Sequence, residues 1–256
     1  MPASPEDLVG RLASGRSPAR AVDAPSDPEP ERGPLATIAM ASAIVWRLTY
    51  YVNRHTLHSA LPTDQRMTSR TEARSRAIAT AERLFRIQGY TATGLTQILT
   101  ESGAPKGSFY FHFPRGKAQL AEEAIDHYVD ARKAVLRQIS SRTSGDAAGF
   151  IRELFKAFAA EMASNDYQYG CLMQNLANEL PSIDVDLTKR VARGFADTTE
   201  IISDHFRTCG HSKNRAYSIA NAIVAAAEGA RTVARLQRSS AVFDALTTAF
   251  ATDHLH

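Results

Sequence analysis

The chain has 256 residues, 44% of them hydrophobic, and a net charge of +3, enough to bury a sizeable core and to hold more than one domain. Its two cysteines, Cys171 and Cys209, exclude a disulfide framework and a cysteine-based metal cluster, and imply a reducing, cytoplasmic setting. No solenoid repeat and no HExxH, P-loop, GxSxG or CxxC pattern occurs, which leaves the motif-bearing enzyme classes without support.

Residues 1–34 are rich in Pro, Ala, Ser, Asp, Glu and Arg, with five prolines between Pro18 and Pro34, a composition expected to stay disordered. The apolar run Leu35–Val52 is interrupted by Arg47, and its uninterrupted part of about twelve residues is too short for a bilayer, which needs roughly 20. It lies too far from the start for a signal peptide, so a weak amphipathic helix, or no native structure, is expected. Met67 directly precedes the first strongly periodic helix, so residues 1–66 read either as a translation-start artefact or as a flexible arm.

Thr71–Gln88 places Ile78, Ala81, Leu84 and Phe85 on one stripe and is stopped by Gly89, which predicts an amphipathic helix. Tyr90–Thr93 makes a connection with Thr93 as the expected N-cap, and Leu95, Ile98 and Leu99 give a second helix a buried side, ending at Ser102-Gly103. The third element, SGAPKGSFYFHFPRGKAQL over Ser102–Leu120, is a turn, a very short aromatic helix, another turn and the start of a long helix. Phe109 and Phe113 read as core anchors, whereas Lys106, Ser108, Tyr110 and His112 supply polar groups suited to phosphate and base contacts. Tyr110 and His112 have the alternative of being interfacial core residues. The stretch Arg66–Leu120 holds nine Lys/Arg against Glu72, Glu82 and Glu101, a net +6, so the remainder of the chain sums to 3 − 6 = −3. A basic module on a mildly acidic body is the electrostatic footprint of a nucleic-acid binder, although a solvated basic helix face has the same charge.

Helix, helix, short turn, helix is a helix-turn-helix arrangement. Ala81-x-x-Leu84-Phe85, Gly89-Tyr90-x-x-Thr93, Lys106-Gly107-Ser108-Phe109-Tyr110-Phe111-His112-Phe113 and Lys117 together resemble, in order and spacing, the DNA-binding part of the TetR/AcrR transcriptional regulators. The resemblance covers about fifty residues and has two departures. Pro105 stands where the family usually caps its recognition helix with serine, so that the cap comes from elsewhere or Pro105 is the first helical residue. Pro114-Arg115-Gly116-Lys117 has one extra residue, which would shift Lys117. The resemblance implies that Thr93 and Thr96 approach DNA from the second helix, that Lys106, Gly107, Ser108, Tyr110 and His112 act from the recognition helix, with Gly107 permitting close approach, and that Lys117 contacts phosphate.

From Lys117 onward the periodicity predicts helices near 117–141, 146–164, 170–180, 185–208, 213–237 and 240–252. The fold class is therefore all-α: a three-helix DNA-binding domain over 67–116, then a helical effector-binding and dimerisation domain over 117–256. Phe150, Leu154, Phe155, Phe158 and Met162 form one stripe and Ala192, Phe195, Thr199, Ile202 and Phe206 another. The family resemblance implies a ligand cavity in this part and a dimer made by the last two helices, where Ile223–Ala230 is a run of small residues. Phe158, Met162, Cys171, Met173, Asn175, Phe195 and Phe206 are the expected effector pocket, for a small apolar or aromatic molecule, unless the large side chains fill the space themselves. Gly170-Cys171-Leu172 followed by Asn175-Leu176-x-x-Glu179-Leu180 is similar, over a shorter stretch, to the NemR-like group, some members of which respond to electrophiles. Cys171 at a helix start would then have a depressed thiol pKa, the alternative being an inert buried cysteine.

The leading reading is a homodimeric repressor released from a palindromic operator by a small molecule, with no cofactor, no metal and no membrane partner. An activator or architectural DNA-binding protein without ligand input, and a cysteine-based sensor, are the alternatives. A helical enzyme finds no support, since His127, His205 and His211 are too scattered to form a site.

Overall fold

The computed structural model describes residues 65–253, with side chains from Thr71 to Phe250. The expectations for 1–34 and for Leu35–Val52 lie outside the described residues. Within them there are nine α-helices and no strand. Three form the basic module: α1 (Gln65–Gln88), α2 (Leu95–Ser102) and α3 (Lys106–His112). The rest are α4 (Lys117–Arg142), α5 (Ala147–Ser164), α6 (Leu172–Glu179) with a 3-10 turn over Leu180–Ser182, α7 (Val185–Thr208), α8 (Lys213–Gln237) and α9 (Ala241–Asp253).

Helix ends follow from local chemistry. Asp146 caps α5 by accepting from the Gly149 N–H, and Asp184 caps α7 by accepting from the N–H groups of Asp186 and Leu187. Each satisfies a donor that the first turn leaves without an intrahelical partner. Gly89 ends α1 with a φ of +82°, and Gly103 ends α2 with a φ of +63°, a backbone region in which a side chain would be strained.

Three boundary expectations are corrected. Helix α1 begins at Gln65 rather than Thr71. Thr93 does not cap α2: Gly94 occupies that position, and the Thr93 hydroxyl donates to the Gly89 carbonyl at 2.6 Å. Pro105 is neither the first residue of α3 nor replaced by a side-chain cap. It is the extended N-cap residue, at φ −60° and ψ 137°, and its carbonyl accepts the first helical bond from the Phe109 N–H at 2.9 Å. Proline suits this position because it has no N–H to leave unsatisfied and its φ is already fixed.

The helices pack around two hydrophobic cores. The first joins Ala81, Leu84 and Phe85 of α1, Ile98 of α2, Phe109 of α3 and Phe113 just after it to Leu172, Met173 and Leu176 of α6. The second joins α5, α7, α8 and α9 through residues such as Phe155, Ile202, Ile223 and Phe243. Helix α4 belongs to both: Leu120, Ala121, Ala124 and Ile125 enter the first, Leu136 and Ile139 the second. A displacement of α4 or α6 is therefore felt in the packing that holds α3.

Candidate nucleic-acid interface

Helix α3 has only seven residues, too few to be stable alone, so its position depends on its anchors. Phe109 and Phe113, four apart and on one face, are buried, their ring centroids 5.0 Å apart. Truncating such a residue to alanine costs about 3–5 kcal/mol, which identifies these two as structure rather than contact. On the opposite face Tyr110 is 44% and Phe111 68% exposed. Lys106 and Gly107 are exposed, and a Cβ added at Gly107 would meet nothing within 4 Å. Ser108 and His112 are half-buried at the edges, His112 ringed by Phe111 and Phe113 with its Nε2 buried and without a hydrogen-bond partner among the described residues.

Sequence reasoning assigned no contact role to Phe111. Two residues from each of two core anchors, it projects about 200° away from both on a helix, and that offset was the available signal.

Most of the positive charge around α3 is already committed. Arg74 pairs with Glu123, Arg83 with Glu101, Arg115 makes a two-pronged contact with Glu122, and the Arg76 Nε donates to the Ser102 carbonyl. Arg86 is buried. Lys106 has no ion pair or hydrogen bond among the described residues and stands exposed at the first turn of α3, which leaves its ammonium free for an anion brought from outside.

Two residues expected at DNA are engaged by partners within the protein. Thr93 is fully buried, and its hydroxyl closes the turn after α1; Thr96 on α2 is exposed. Lys117 is half-buried: its ammonium donates to the Tyr90 carbonyl at 2.6 Å and sits 4.0 Å from the Tyr90 ring centroid. Burial pulls the Lys117 pKa down against the opposing pull of Glu179. Gly116, at φ +65°, is the N-cap residue from which α4 starts.

The end of α1 is held from a distance. Its last carbonyls accept donors from the second half of the chain, Phe85 in addition to the Gly89 N–H at 3.1 Å. The Asn175 amide donates to the carbonyls of Phe85 and Arg86 at 3.0 Å, the Gly170 N–H to Arg86, and the Arg235 Nη2 to Ile87 at 3.4 Å. The Glu179 carboxylate accepts from the N–H groups of Tyr90 at 3.1 Å and Thr91 at 2.6 Å. Those hydrogen bonds, with the pull of Lys117, hold Glu179 below the usual carboxylate range despite the opposing effect of burial.

The residues expected to line one effector pocket do not converge. Cys171 and Met173, with Phe195 packed alongside, belong to the first core, whereas Phe158, Met162 and Phe206 belong to the second. All except Phe195 and Asn175 are buried as packing residues, so the large side chains occupy the space. Asn175 alone of the seven lines the cavity at the end of α1. Cys171 has two readings in the sequence, a reactive thiol and an inert buried cysteine. Cys171 is the N-cap residue of α6, but burial pushes its thiol pKa up, aided by Glu228, and outweighs the opposing pull of Arg132, whose Nη1 is 3.3 Å from the sulfur.

Comparison with known proteins bears on this geometry. The sequence profile of the bacterial regulatory proteins of the tetR family matches residues 77–124, and that of the LmrA/YxaF-like transcriptional regulator C-terminal domain matches residues 147–249. The chain is 31% identical over 158 residues to the HTH-type transcriptional regulator LmrA of Bacillus subtilis (strain 168), covering 62% of this chain and 84% of LmrA. It is 24% identical over 152 residues to the HTH-type transcriptional repressor NemR of Escherichia coli (strain K12), covering 59% and 69% respectively. Its fold matches the regulatory protein TetR from Rhodobacter sphaeroides with a TM-score of 0.64 at 24% identity, over 70% of this chain and 97% of that one. The helix-turn-helix module, the helical second part and the LmrA match converge: the chain belongs to the TetR family of DNA-binding transcriptional regulators.

Proposed function

We propose that the protein is a homodimeric repressor that reads a palindromic operator with α3 and leaves it when a small molecule binds. The observation that carries this reading is the two-sided character of α3: Phe109 and Phe113 fixed in the core, Lys106, Gly107, Tyr110 and Phe111 presented outward. Lys106 supplies a phosphate contact that sets register, and the aromatic pair with Ser108 and His112 lies where base edges and thymine methyls are met. Thr96 contributes from α2. Thr93 and Lys117 act indirectly, by shaping the turn on which α2 and α3 rest.

Dimerisation is assigned to α8 and α9. The outer face of α8 exposes Tyr217, Ala222, Ala225 and Gly229, small residues beside one large aromatic one, which permits close approach of a second copy. Two α3 helices would then enter major grooves about 34–36 Å apart. Residues 67–116 act as the reading head and 117–256 as the part that holds the partner and the effector, with α4 and α6 carrying the coupling. The repressor sense follows the name of the relative NemR.

A purified full chain tested by analytical ultracentrifugation and by footprinting on selected duplexes checks the reading. It expects a dimer and two protected half-sites one helical turn apart; a monomer protecting one half-site contradicts it. The packed second core favours a ligand-independent regulator if no molecule alters DNA affinity.

A further inference from the structure

Between the end of α1, the connection from α5 to α6 and the last turns of α8 lies a cavity of about 460 Å³. Its wall carries three arginines, Arg231, Arg235 and Arg238, with the side-chain amides of Gln168, Gln174 and Asn175, and no carboxylate. Ile87 and Leu236 supply apolar surface, and Leu236 is 81% exposed. The volume lies in the range of small-molecule sites, roughly 300–1,000 Å³.

The three cations differ in what already neutralises them. Arg238 pairs with Asp166 at 2.5 Å. Arg235 donates to the Ile87 carbonyl at 3.4 Å, a long and weak bond, and makes no ion pair. Arg231 is 1% exposed, and its Nη2 donates to Glu161 at 2.8 Å, but its Nε and Nη1 have no hydrogen-bond partner among the described residues. Burial lowers the pKa of this guanidinium, but the Glu161 carboxylate outweighs that effect and favours its charged form. Unused donors on a buried cation are costly, and an anion that accepts from them removes the cost. Gly170 makes room beside them: a Cβ there would come within 2.9 Å of the Arg235 Nη1 and 3.2 Å of the Asn175 Oδ1.

We propose that this cavity binds a small carboxylic acid as its anion, the carboxylate resting on Arg231 and Arg235 and the hydrocarbon part lying against Ile87 and Leu236. Guanidinium forks match planar carboxylates, and one negative charge suits one uncommitted guanidinium beside a half-neutralised one. The inference rests on the reading of the chain as a small-molecule-controlled regulator and gives its effector a chemical class, polar at one end rather than apolar throughout. It also supplies a route to DNA. A ligand that draws the Arg235 fork away from Ile87 removes a donor from the last turn of α1, so it binds more tightly to conformers in which α1 has shifted, the differential affinity that regulation requires.

Isothermal titration of the full chain with butyrate, octanoate, benzoate and phenylacetate, with their primary amides and with inorganic phosphate, tests the assignment. The expected result is binding of at least one carboxylate, with its amide about tenfold weaker or more, and a similar loss in Arg235→Gln. Gly170→Val, which puts a side chain into the site without removing a charge, is expected to lose the same ligand and serves if Arg235→Gln does not fold. Absence of binding by every carboxylate, equal binding by the amides, binding of phosphate alone, or unchanged affinity in a folded variant overturns the proposal. Anisotropy with duplex DNA on the same preparation separates the two levels: DNA binding without carboxylate binding rejects this site and leaves the regulator reading, and carboxylate binding without DNA binding does the reverse.

Discussion

Arg86, near the end of α1, and Glu161, on α5, meet in the interior with Nη2 and Oε1 2.5 Å apart. Arg231 of α8 takes the other carboxylate oxygen at 2.8 Å, so one largely buried glutamate ties α1 to both α5 and α8. The Arg86 Nε also donates to the Gly170 carbonyl at 2.9 Å, and its guanidinium lies between the rings of Tyr128 and Tyr169.

This network has a pH signature. Burial would raise the Glu161 pKa, but Arg231 and Arg86 pull it from 4.5 down to about 2. A carboxylate with a depressed folded-state pKa contributes stability that is full above its unfolded value and lost as pH falls through the folded one. Urea titrations between pH 5 and pH 2 are expected to show that loss in the wild type, beginning near pH 4.5. Glu161→Ala is expected to cost about 3–5 kcal/mol at neutral pH, since it strands two buried cations.

Glu179 makes a separate tie. Its carboxylate caps the Tyr90 and Thr91 N–H groups, directly over Gly89, where a Cβ would fall 1.9 Å from Oε1. Glu179→Ala is expected to destabilise the protein by about 1–3 kcal/mol and to speed amide hydrogen exchange at Tyr90 and Thr91 selectively. Unchanged exchange at those two amides would show that the tie does not form in solution.

Phe109 and Phe111 separate packing from recognition. Phe109→Ala is expected to lower stability by about 3–5 kcal/mol, and Phe111→Ala to change it by no more than about 0.5 kcal/mol while weakening DNA binding. Paired thermal melts and anisotropy curves check this. Equal stability losses would place Phe111 in the core.

Thr93 and Thr96 should likewise part company. Thr93→Val leaves the Gly89 carbonyl without its 2.6 Å donor and is expected to cost about 1–2 kcal/mol, read by chemical denaturation. Thr96→Ala is expected to leave stability unchanged and to reduce DNA affinity only.

The helices from α4 onward were legible because their punctuation is local: Gly145-Asp146, Asp184 and Ser212 mark starts that periodic apolar stripes then extend. The two faces of α3 were legible for the same reason, except at Phe111. What the sequence hid is long-range. Asn175 and Arg235 serve carbonyls about ninety and one hundred and fifty positions earlier, and no periodicity connects them. Thr93 was misread because a threonine before a helix serves equally well as a cap or as a buried turn-closing donor. The division of the expected effector-pocket residues between two cores was not legible either, because stripes of the same apolar character do not say which core each enters.

If α3 presents a free cation to DNA, the salt dependence of binding reads it out. Fluorescence anisotropy of the full chain on a duplex across a range of salt concentrations gives log K against log salt, with a slope of about −0.9 for each phosphate neutralised. Lys106→Ala is expected to weaken binding to specific and non-specific duplexes alike and to reduce that slope by about one unit per α3 bound. An unchanged slope and affinity in the variant would show that Lys106 makes no phosphate contact.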